Sequence, residues 1–499
     1  MQPSFVRNFG NGKDASGTRW VLWLYFFFLL LCFLGGGGSR FDIVSLLYLR
    51  PAAILCAAAF LLFAPRVEFR AVKIPLLLLT ALAAIMLLQL IPLPPEIWTR
   101  LPGRAPFLEA ASVAQISQPW RPVSIVPDLT LNSLASLVVP FAALIGFAAL
   151  SAEQRSKLLG FLIMAAAVSA LLGIAQRAGG ESSPLYLYRI TNSESAVGLF
   201  SNRNHQAALL ATAYPMLAVW AALASQDPQI RRFRAALGVA FGLLLVLLIL
   251  VTGSRAGLFL AAAAAPMAGF LYMWLDGGRR GRGAISWKNA AYVAAGVLLV
   301  GALLVFLASS SAVAVQRLLD LGVEDDMRLA NLPVISRVAW EMFPVGSGFG
   351  TFDPVFRVHE PASSLSLGYL NQAHNDLLEL ILTGGLAGVL VLAAFLIWFC
   401  VRATAVFRRR GALSREAAMA QLGVVLILLL LVASLVDYPL RTPVMAVLFA
   451  IACGWLSVGG DTVKRAADTE SRGEPKDMES TVGLAHRHGR AAETKAANR

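Results

Sequence analysis

The chain has 499 residues, of which 58% are hydrophobic and only 14% charged, with a mean hydropathy of +0.68. Soluble domains run at about 45–50% apolar and about 25% charged, and here the apolar residues come in long unbroken blocks. That excludes a water-soluble enzyme, a disordered chain and a fibrous repeat, and leaves a polytopic membrane protein. The net charge of +13, from 42 Lys and Arg against 29 Asp and Glu, would suggest nucleic acid in a soluble protein. Between membrane spans, its placement carries the information instead, and no nucleic-acid partner is expected.

Arg7, Lys13 and Arg19 precede the first apolar run, as in a signal peptide. The run ends in Gly35–Gly38 and Ser39 without a small-x-small cleavage pattern, so it reads as an uncleaved first span after a cytoplasmic segment, 1–19. A spanning helix needs about 20 mostly apolar residues. The qualifying stretches are 20–36, 44–64, 73–92, 133–151, 156–176, 206–224, 235–253, 256–275, 290–309, 376–401, 417–437 and 442–458. They predict an all-α bundle of about twelve transmembrane helices across 20–458. Two intervening segments, 93–132 and 310–375, are long and polar enough to fold by themselves. The second is expected to lie on the membrane face as short helices and turns, anchored by Leu318, Leu319, Leu332, Val338, Trp340 and Phe343 and punctuated by Pro333 and Pro344. The tail 459–499 is polar, lacks aromatics and reads as disordered.

Cys32, Cys56, Cys400 and Cys453 all fall in apolar blocks, where cysteine packs as a small hydrophobe. Neither a disulfide nor a metal-ligand spacing emerges, and no cofactor is called for.

With the N-terminus in the cytoplasm, the inside loops collect Arg66, Arg70, Lys73, Arg155, Lys157, Arg231, Arg232, Arg234, Arg279, Arg280, Arg282, Lys288, Arg402, Arg408, Arg409, Arg410 and Arg415. Every lysine falls inside. The positive-inside rule therefore predicts two cytoplasmic termini and places both large segments outside. The outer face has no lysine but many arginines, and arginine suits a bidentate grip on phosphate or carboxylate. Arg317, Arg328 and Arg357 are expected to pair with Glu324, Asp325, Asp326, Glu341 and Glu360 within the loop.

Three motifs sit where an outer segment meets a span: Gly198-Leu199-Phe200-Ser201-Asn202-Arg203-Asn204-His205-Gln206, Thr252-Gly253-Ser254-Arg255-Ala256-Gly257, and Asn371-Gln372-Ala373-His374-Asn375-Asp376-Leu377-Leu378-Glu379-Leu380. Arg255 occupies a tight hairpin between glycines, and an ionisable residue at membrane depth is a functional candidate. Its bland alternative is snorkelling to headgroups. Arg203 stands at a helix start, where free N–H groups and the dipole favour an anion; the alternative is plain capping by Asn202 or Asn204. His374 has the chemistry of a general base near neutral pH, with Asn375 or Asp376 capping the following helix. Gly346–Phe352 reads as a tight turn, and Asp437 and Arg441 flank the Tyr438-Pro439-Leu440 turn, where they could pair although Pro439 breaks the helix that would set them at helical spacing.

These stretches, with Arg337, Trp340 and the Pro344–Phe352 segment, resemble the bacterial O-antigen ligase family, which includes O-antigen and exopolysaccharide polymerases. The resemblance spans roughly 20–458. It implies a helical, GT-C-like membrane glycosyltransferase of the bacterial inner membrane with a periplasmic active site. The implied donor is a glycan on undecaprenyl diphosphate. The implied acceptor is a hydroxyl of lipid A–core in a ligase, or of another lipid-linked glycan in a polymerase. Residue by residue, it assigns Arg203 and Arg255 to the diphosphate, with Arg189 competing with Arg203, and His374 to catalysis. His205, Arg337, Asn375, Asp376, Asp437 and Arg441 are candidate supports. Membrane lipids and polysaccharide-assembly proteins are the further partners. A transporter of lipid-linked saccharides is the alternative from another class, although no half-to-half repeat is visible and the span centres are almost free of charge.

Overall fold

The computed structural model describes residues 19–223, 227–279, 323–362, 370–408 and 414–471. The stretch expected as a ninth span, 290–309, lies outside them. So do Arg317, the side chains of Glu324, Asp325, Asp326 and Arg328, and the tail beyond Ser471.

Among the described residues the regular structure is helical, apart from one small ladder. Helices α1 (Arg19–Gly35), α2 (Leu46–Phe63) and α3 (Lys73–Gln89) precede a folded loop. The loop holds α4 (Pro95–Trp98) and α5 (Ala105–Val113) and is closed by an antiparallel pair of two-residue strands, β1 (Pro92–Leu93) and β2 (Arg121–Pro122). Then come α6 (Pro127–Ser136), α7 (Val138–Ala149), α8 (Ala152–Ala178), α9 (Arg203–Ala222), α10 (Pro228–Thr252) and α11 (Arg255–Arg279). After the undescribed stretch follow α12 (Val323–Met342), α13 (Phe352–His359), α14 (Asp376–Arg408), α15 (Arg415–Ser434), a 3₁₀ turn at Pro439–Arg441 and α16 (Pro443–Ser471). The last helix passes the expected tail boundary at 459, because residues 461–471 contain neither proline nor glycine and are rich in helix formers such as Ala, Lys and Arg.

Among the described residues, eight helical stretches are long and apolar enough to cross a membrane, and two shorter apolar helices, Arg19–Gly35 and Pro443–Gly459, flank them. Polar ends set the helix starts. Ser151 and Gln154 form a reciprocal capping box on α8, Asp227 caps α10 ahead of Pro228, and Ser414 caps α15.

Burial sorts the helices into centre and rim. Helices α9 and α15 are buried on nearly all sides, and the described part of α16 matches them, so they form the core. Helices α2, α3 and α10 turn apolar faces outward, with Leu47, Leu62 and Val239 among the exposed side chains. A water-soluble surface would not carry such a belt; a lipid-facing one requires it. Where α9 and α11 cross, Gly257 lies so close to Ala207 that an added Cβ would sit 2.2 Å from the Ala207 Cβ. Small residues at such crossings let helix backbones approach in lipid.

Two details depart from the expectation for the outer segments. The central element of the second segment is the 20-residue α12, which runs straight through Pro333. Of its expected anchors, Val338 is fully buried, whereas Trp340 is 73% exposed and packs edge-on against Phe343, at 5.6 Å between rings. Helix period explains the split, because residues two apart face nearly opposite sides.

The Gly346–Phe352 stretch is the tight turn expected. Gly346, Gly348 and Gly350 all have positive φ, a conformation that side chains resist. The turn is the joint between the two outer segments. Ser347 N–H donates to Leu382 O (2.9 Å), Phe349 N–H to Gln89 Oε1 (3.1 Å), and Ile125 N–H to Ser347 O (2.8 Å). Helix α14 breaks at the same place: Gly385 has φ 56 and ψ −151. Its freed groups are satisfied within protein, since Leu386 N–H donates to Pro344 O (2.8 Å) while Thr383 O accepts from Gln89 Nε2 (3.0 Å) and Gly348 N–H (3.0 Å). Broken backbone at membrane depth persists only under such cover. Residues 376–384 therefore form a separate half-helix, not the start of a straight span.

Candidate active site

Four turns meet at one end of the bundle: the starts of α9, α11 and α14, and the connection from α15 to α16. Between them lies a cavity of about 510 Å³. Its polar wall is made by Asn204, His205, Arg255, His374, Asn375 and Asp437, and its apolar wall includes Ala208, Phe259, Leu260, Leu332 and Val432.

The starts of α9 and α11 are fastened to each other. Asn202 caps α9 by accepting from Asn204 N–H (2.8 Å), which leaves the Asn204 side chain to receive the Ser254 hydroxyl (2.7 Å). The same Ser254 oxygen accepts from Gly257 N–H (2.9 Å) and so caps α11. The reversal before it ends in Gly253 at φ 68. This geometry presents half-buried Arg255 as the first residue of α11 and aims two positive helix ends at the cavity.

His374 stands opposite, in a left-handed conformation (φ 50) rarely taken by a residue with a side chain. Its Nδ1 lies 3.2 Å from Asp437 Oδ1, which also accepts from Tyr438 N–H (2.9 Å). A carboxylate only accepts, so Nδ1 is the donor in this contact, and in the neutral tautomer that this implies Nε2 presents the lone pair. Among the described residues no group engages Nε2, and the ring lines the cavity. The Tyr438 ring is edge-packed between His374 (4.7 Å) and fully buried His205 (5.1 Å), whose Nε2 is 3.9 Å from Asp437 Oδ1. Asn375 caps α14 by accepting from Leu378 N–H (2.9 Å) and donates to Leu435 O (3.0 Å), tying this turn to the end of α15.

A second polar cluster lies behind the wall. Arg441 Nε is 3.1 Å from Asp376 Oδ1, and Nη2 is 3.0 Å from Glu379 Oε1. Glu379 is fully buried and its other oxygen accepts from Ala373 N–H (2.9 Å). Desolvation alone would lower the Arg441 pKa, but the Glu379 and Asp376 carboxylates outweigh it and hold the guanidinium above its ordinary value.

The expected residues thus divide. Arg255, His205, His374, Asn375 and Asp437 share the cavity. Asp376 and Arg441 pair behind it, so the suggested Asp437–Arg441 contact is replaced by two crossed pairs. Helix α15 has already ended at Ser434, before Asp437, and the 3₁₀ turn Pro439–Arg441 sends Arg441 toward α14 instead. Half-buried Arg203 begins α9 beside Asn204 but is not on the cavity wall. Arg189 is exposed near Asp42, whose carboxyl is held low first by its hydrogen bond from Arg40. Arg337 points outward and pairs with Glu341 at 3.4 Å. Arg357 pairs within its own helix with Asp353 (2.6 Å), and Glu341 is met by Arg337 and by His359 at 3.4 Å. Asn204 and Glu379 lie in the motifs but were not singled out. A carboxylate inside an apolar run just before Gly384-Gly385 was the available signal for Glu379. No group of three or more metal-binding side chains occurs among the described residues.

Fold and site together define a multispan helical membrane protein with an arginine and a carboxylate-oriented histidine facing one half-open cavity. The profile of the O-antigen ligase family matches residues 240–396, so this stretch of the chain is similar to that family. The matched stretch includes Arg255, His374, Asn375, Asp376 and Glu379 and leaves Arg203, His205, Asp437 and Arg441 outside it. No curated protein matches the chain.

Proposed function

We propose that the protein is a glycosyltransferase of the bacterial inner membrane, moving a glycan from undecaprenyl diphosphate to an acceptor hydroxyl at the periplasmic face. The acceptor is lipid A–core if it acts as an O-antigen ligase; polymerisation on a second lipid-linked glycan is the family's other activity. The observation that carries this reading is the His374–Asp437 pair opening onto the cavity that Arg255 also enters.

The chemistry follows from that arrangement. The acceptor hydroxyl gives its proton to His374 Nε2 while its oxygen attacks the anomeric carbon. The bond from that carbon to the diphosphate oxygen breaks, and the configuration inverts. Asp437 fixes the ring and stabilises the imidazolium that forms. Charge grows on the departing diphosphate. Arg255, the two helix starts and Arg203 at the α9 end provide fixed positive potential there, which favours the transition state over the ground state. The lipid diphosphate supplies the leaving group, so the reaction needs no nucleotide.

The charge pattern supports the orientation. Arg155, Lys157, Arg231, Arg402 and Arg415 gather at the bundle end opposite the cavity, where Arg231 faces Asp276 at 4.0 Å and Arg415 reaches Ser156 at 3.5 Å. That end is read as cytoplasmic, with both termini there and the full count of about twelve spans completed by 290–309. A phosphatase fusion near residue 340 should be active; an inactive one overturns the topology and the site with it.

The deciding experiment is glycan transfer by purified protein in nanodiscs from an undecaprenyl-diphosphate donor. A deletion strain separates the two activities. Loss of lipid A-linked glycan alone marks a ligase, and single repeats accumulating on the carrier mark a polymerase. A transporter would give no transfer product at all.

A further inference from the structure

We propose that Glu379 is a positioning residue for His374: its buried carboxylate, braced by Arg441, locks the 373–376 turn and sets His374 against Asp437. The proposal rests on the reading of His374 as the general base.

His374 holds a backbone conformation that its side chain disfavours, and such a residue stays put only where its surroundings over-determine it. Two contacts do so. On one side Asn375 closes the first turn of α14 and reaches Leu435 O. On the other, Ala373 N–H, immediately before His374, donates to Glu379 Oε2 at 2.9 Å. Glu379 is one turn into α14 and fully buried. It does not line the cavity, so any effect on chemistry passes through the turn.

Arg441 makes the contact two-sided. It lies four residues after Asp437 and bridges Glu379 (3.0 Å) and Asp376 (3.1 Å). Of the paired residues, His374 and Asp437 sit on different turns, and the clamp joins those same two turns. The spacing between base and orienting carboxylate is therefore fixed from behind by a second, non-reacting charge pair. Stability alone does not call for this design, since apolar side chains of similar volume usually serve a buried position as well as an ion pair. Breaking the Gly384–Gly385 run of α14 is what gives residues 376–384 the freedom to be aligned this way.

The test combines turnover with site-resolved diethyl pyrocarbonate modification, both on the full chain in nanodiscs. Glu379→Ala should lower kcat by about 10²-fold, the size of a 1 Å misplacement, with donor KM nearly unchanged. Glu379→Gln, which keeps an acceptor for Ala373 N–H, should recover most of the rate. In a His374→Ala background, Glu379→Ala should cost nothing further, as residues acting as one unit do. The His374 modification rate should change alike in Glu379→Ala and Asp437→Ala, with His359 as the internal reference. If Glu379→Ala does not fold, Arg441→Lys takes its place, keeping the charge but losing the two-point geometry. Wild-type kcat in Glu379→Ala, no recovery in Glu379→Gln, a further loss on top of His374→Ala, or an unchanged His374 modification rate would each overturn the proposal. A changed His374 modification rate in Glu379→Ala, when the wild-type protein itself makes no transfer product, supports the clamp and removes the glycosyltransferase reading instead.

Discussion

Two arginines at opposite ends of the bundle are enclosed by the fold, and they do different things. Arg155, at the start of α8, is 5% exposed and spends its guanidinium on Phe147 O (3.1 Å), Ala148 O (3.4 Å) and Glu68 (3.0 Å), stacked over the Phe147 ring. Its own carbonyl accepts from Trp455 Nε1 (3.1 Å), so it fastens α16 to α8. It borders a void of about 20 Å³. Arg441 instead meets two carboxylates, and the turn it belongs to forms one side of a cavity of about 510 Å³. Burial of a cation marks function only where it is coupled to space for a ligand. At the Arg155 end, the same chemistry is packing.

The largest effect should come from removing the groups that face that space. His374→Ala is expected to lower kcat about 10²–10⁴-fold, the usual contribution of a general base, with donor binding retained. Arg255→Lys should fail nearly as badly as Arg255→Ala, because an ammonium restores the charge but not the planar fork. Both are read as transfer rates from the lipid-linked donor, with expression and folding matched. An active His374→Ala enzyme, or Arg255→Lys near wild type, would erase the contrast between the two ends.

How far the sequence reaches this contrast varies with the kind of contact. Arg255 and His374 were legible because each sits at a local boundary: a polar residue where an apolar run begins, beside glycine or asparagine. The spans themselves follow from run length, and eleven of the twelve expected stretches fall on helices in the described residues. Partner choice was not legible. His374 and Asp437 are 63 residues apart, as are Arg441 and Glu379 by nearly the same count, and no periodicity reports such a pairing. Asp437 with Arg441 looked plausible only because they are close in sequence. Glu379 was hidden for a different reason. Its apolar neighbours make 376–401 read as one straight span, and only the break at Gly385 reveals a half-helix with its own role.

A middle-sized effect is expected at the α9–α11 crossing. Gly257→Leu would force the helices apart where an added Cβ already meets Ala207 at 2.2 Å. Overpacking of this kind costs roughly 1–3 kcal/mol, and because Arg255 and Asn204 ride on those helices, turnover should drop along with the thermal midpoint. Arg155→Ala should move only the midpoint. It removes the Arg155 bonds to Phe147 O and Ala148 O, which still accept from Leu150 N–H and Glu68 N–H, so the loss should be about 0.5–1.5 kcal/mol for each hydrogen bond, and the folded fraction should keep its transfer rate. A fall in kcat per folded molecule in Arg155→Ala would show that the far end is coupled to the cavity after all.

The smallest effect should be at Arg337. Its sequence setting, upstream of Trp340 and Pro344, made it a candidate support for the site, but its side chain is 60% exposed and pairs with Glu341 one helical turn away. Exposed pairs of this type contribute roughly 0–1 kcal/mol, since solvent screens them and both side chains lose freedom. Helix α12 meets the cavity through Leu332 instead, so removing the charge of Arg337 leaves that wall in place. Arg337→Ala should therefore match wild type in thermal midpoint within a degree or two and in transfer rate within experimental scatter. A large loss of rate there would mean that the outer face of α12 meets the acceptor, and that the reacting space extends beyond the four turns that enclose His374.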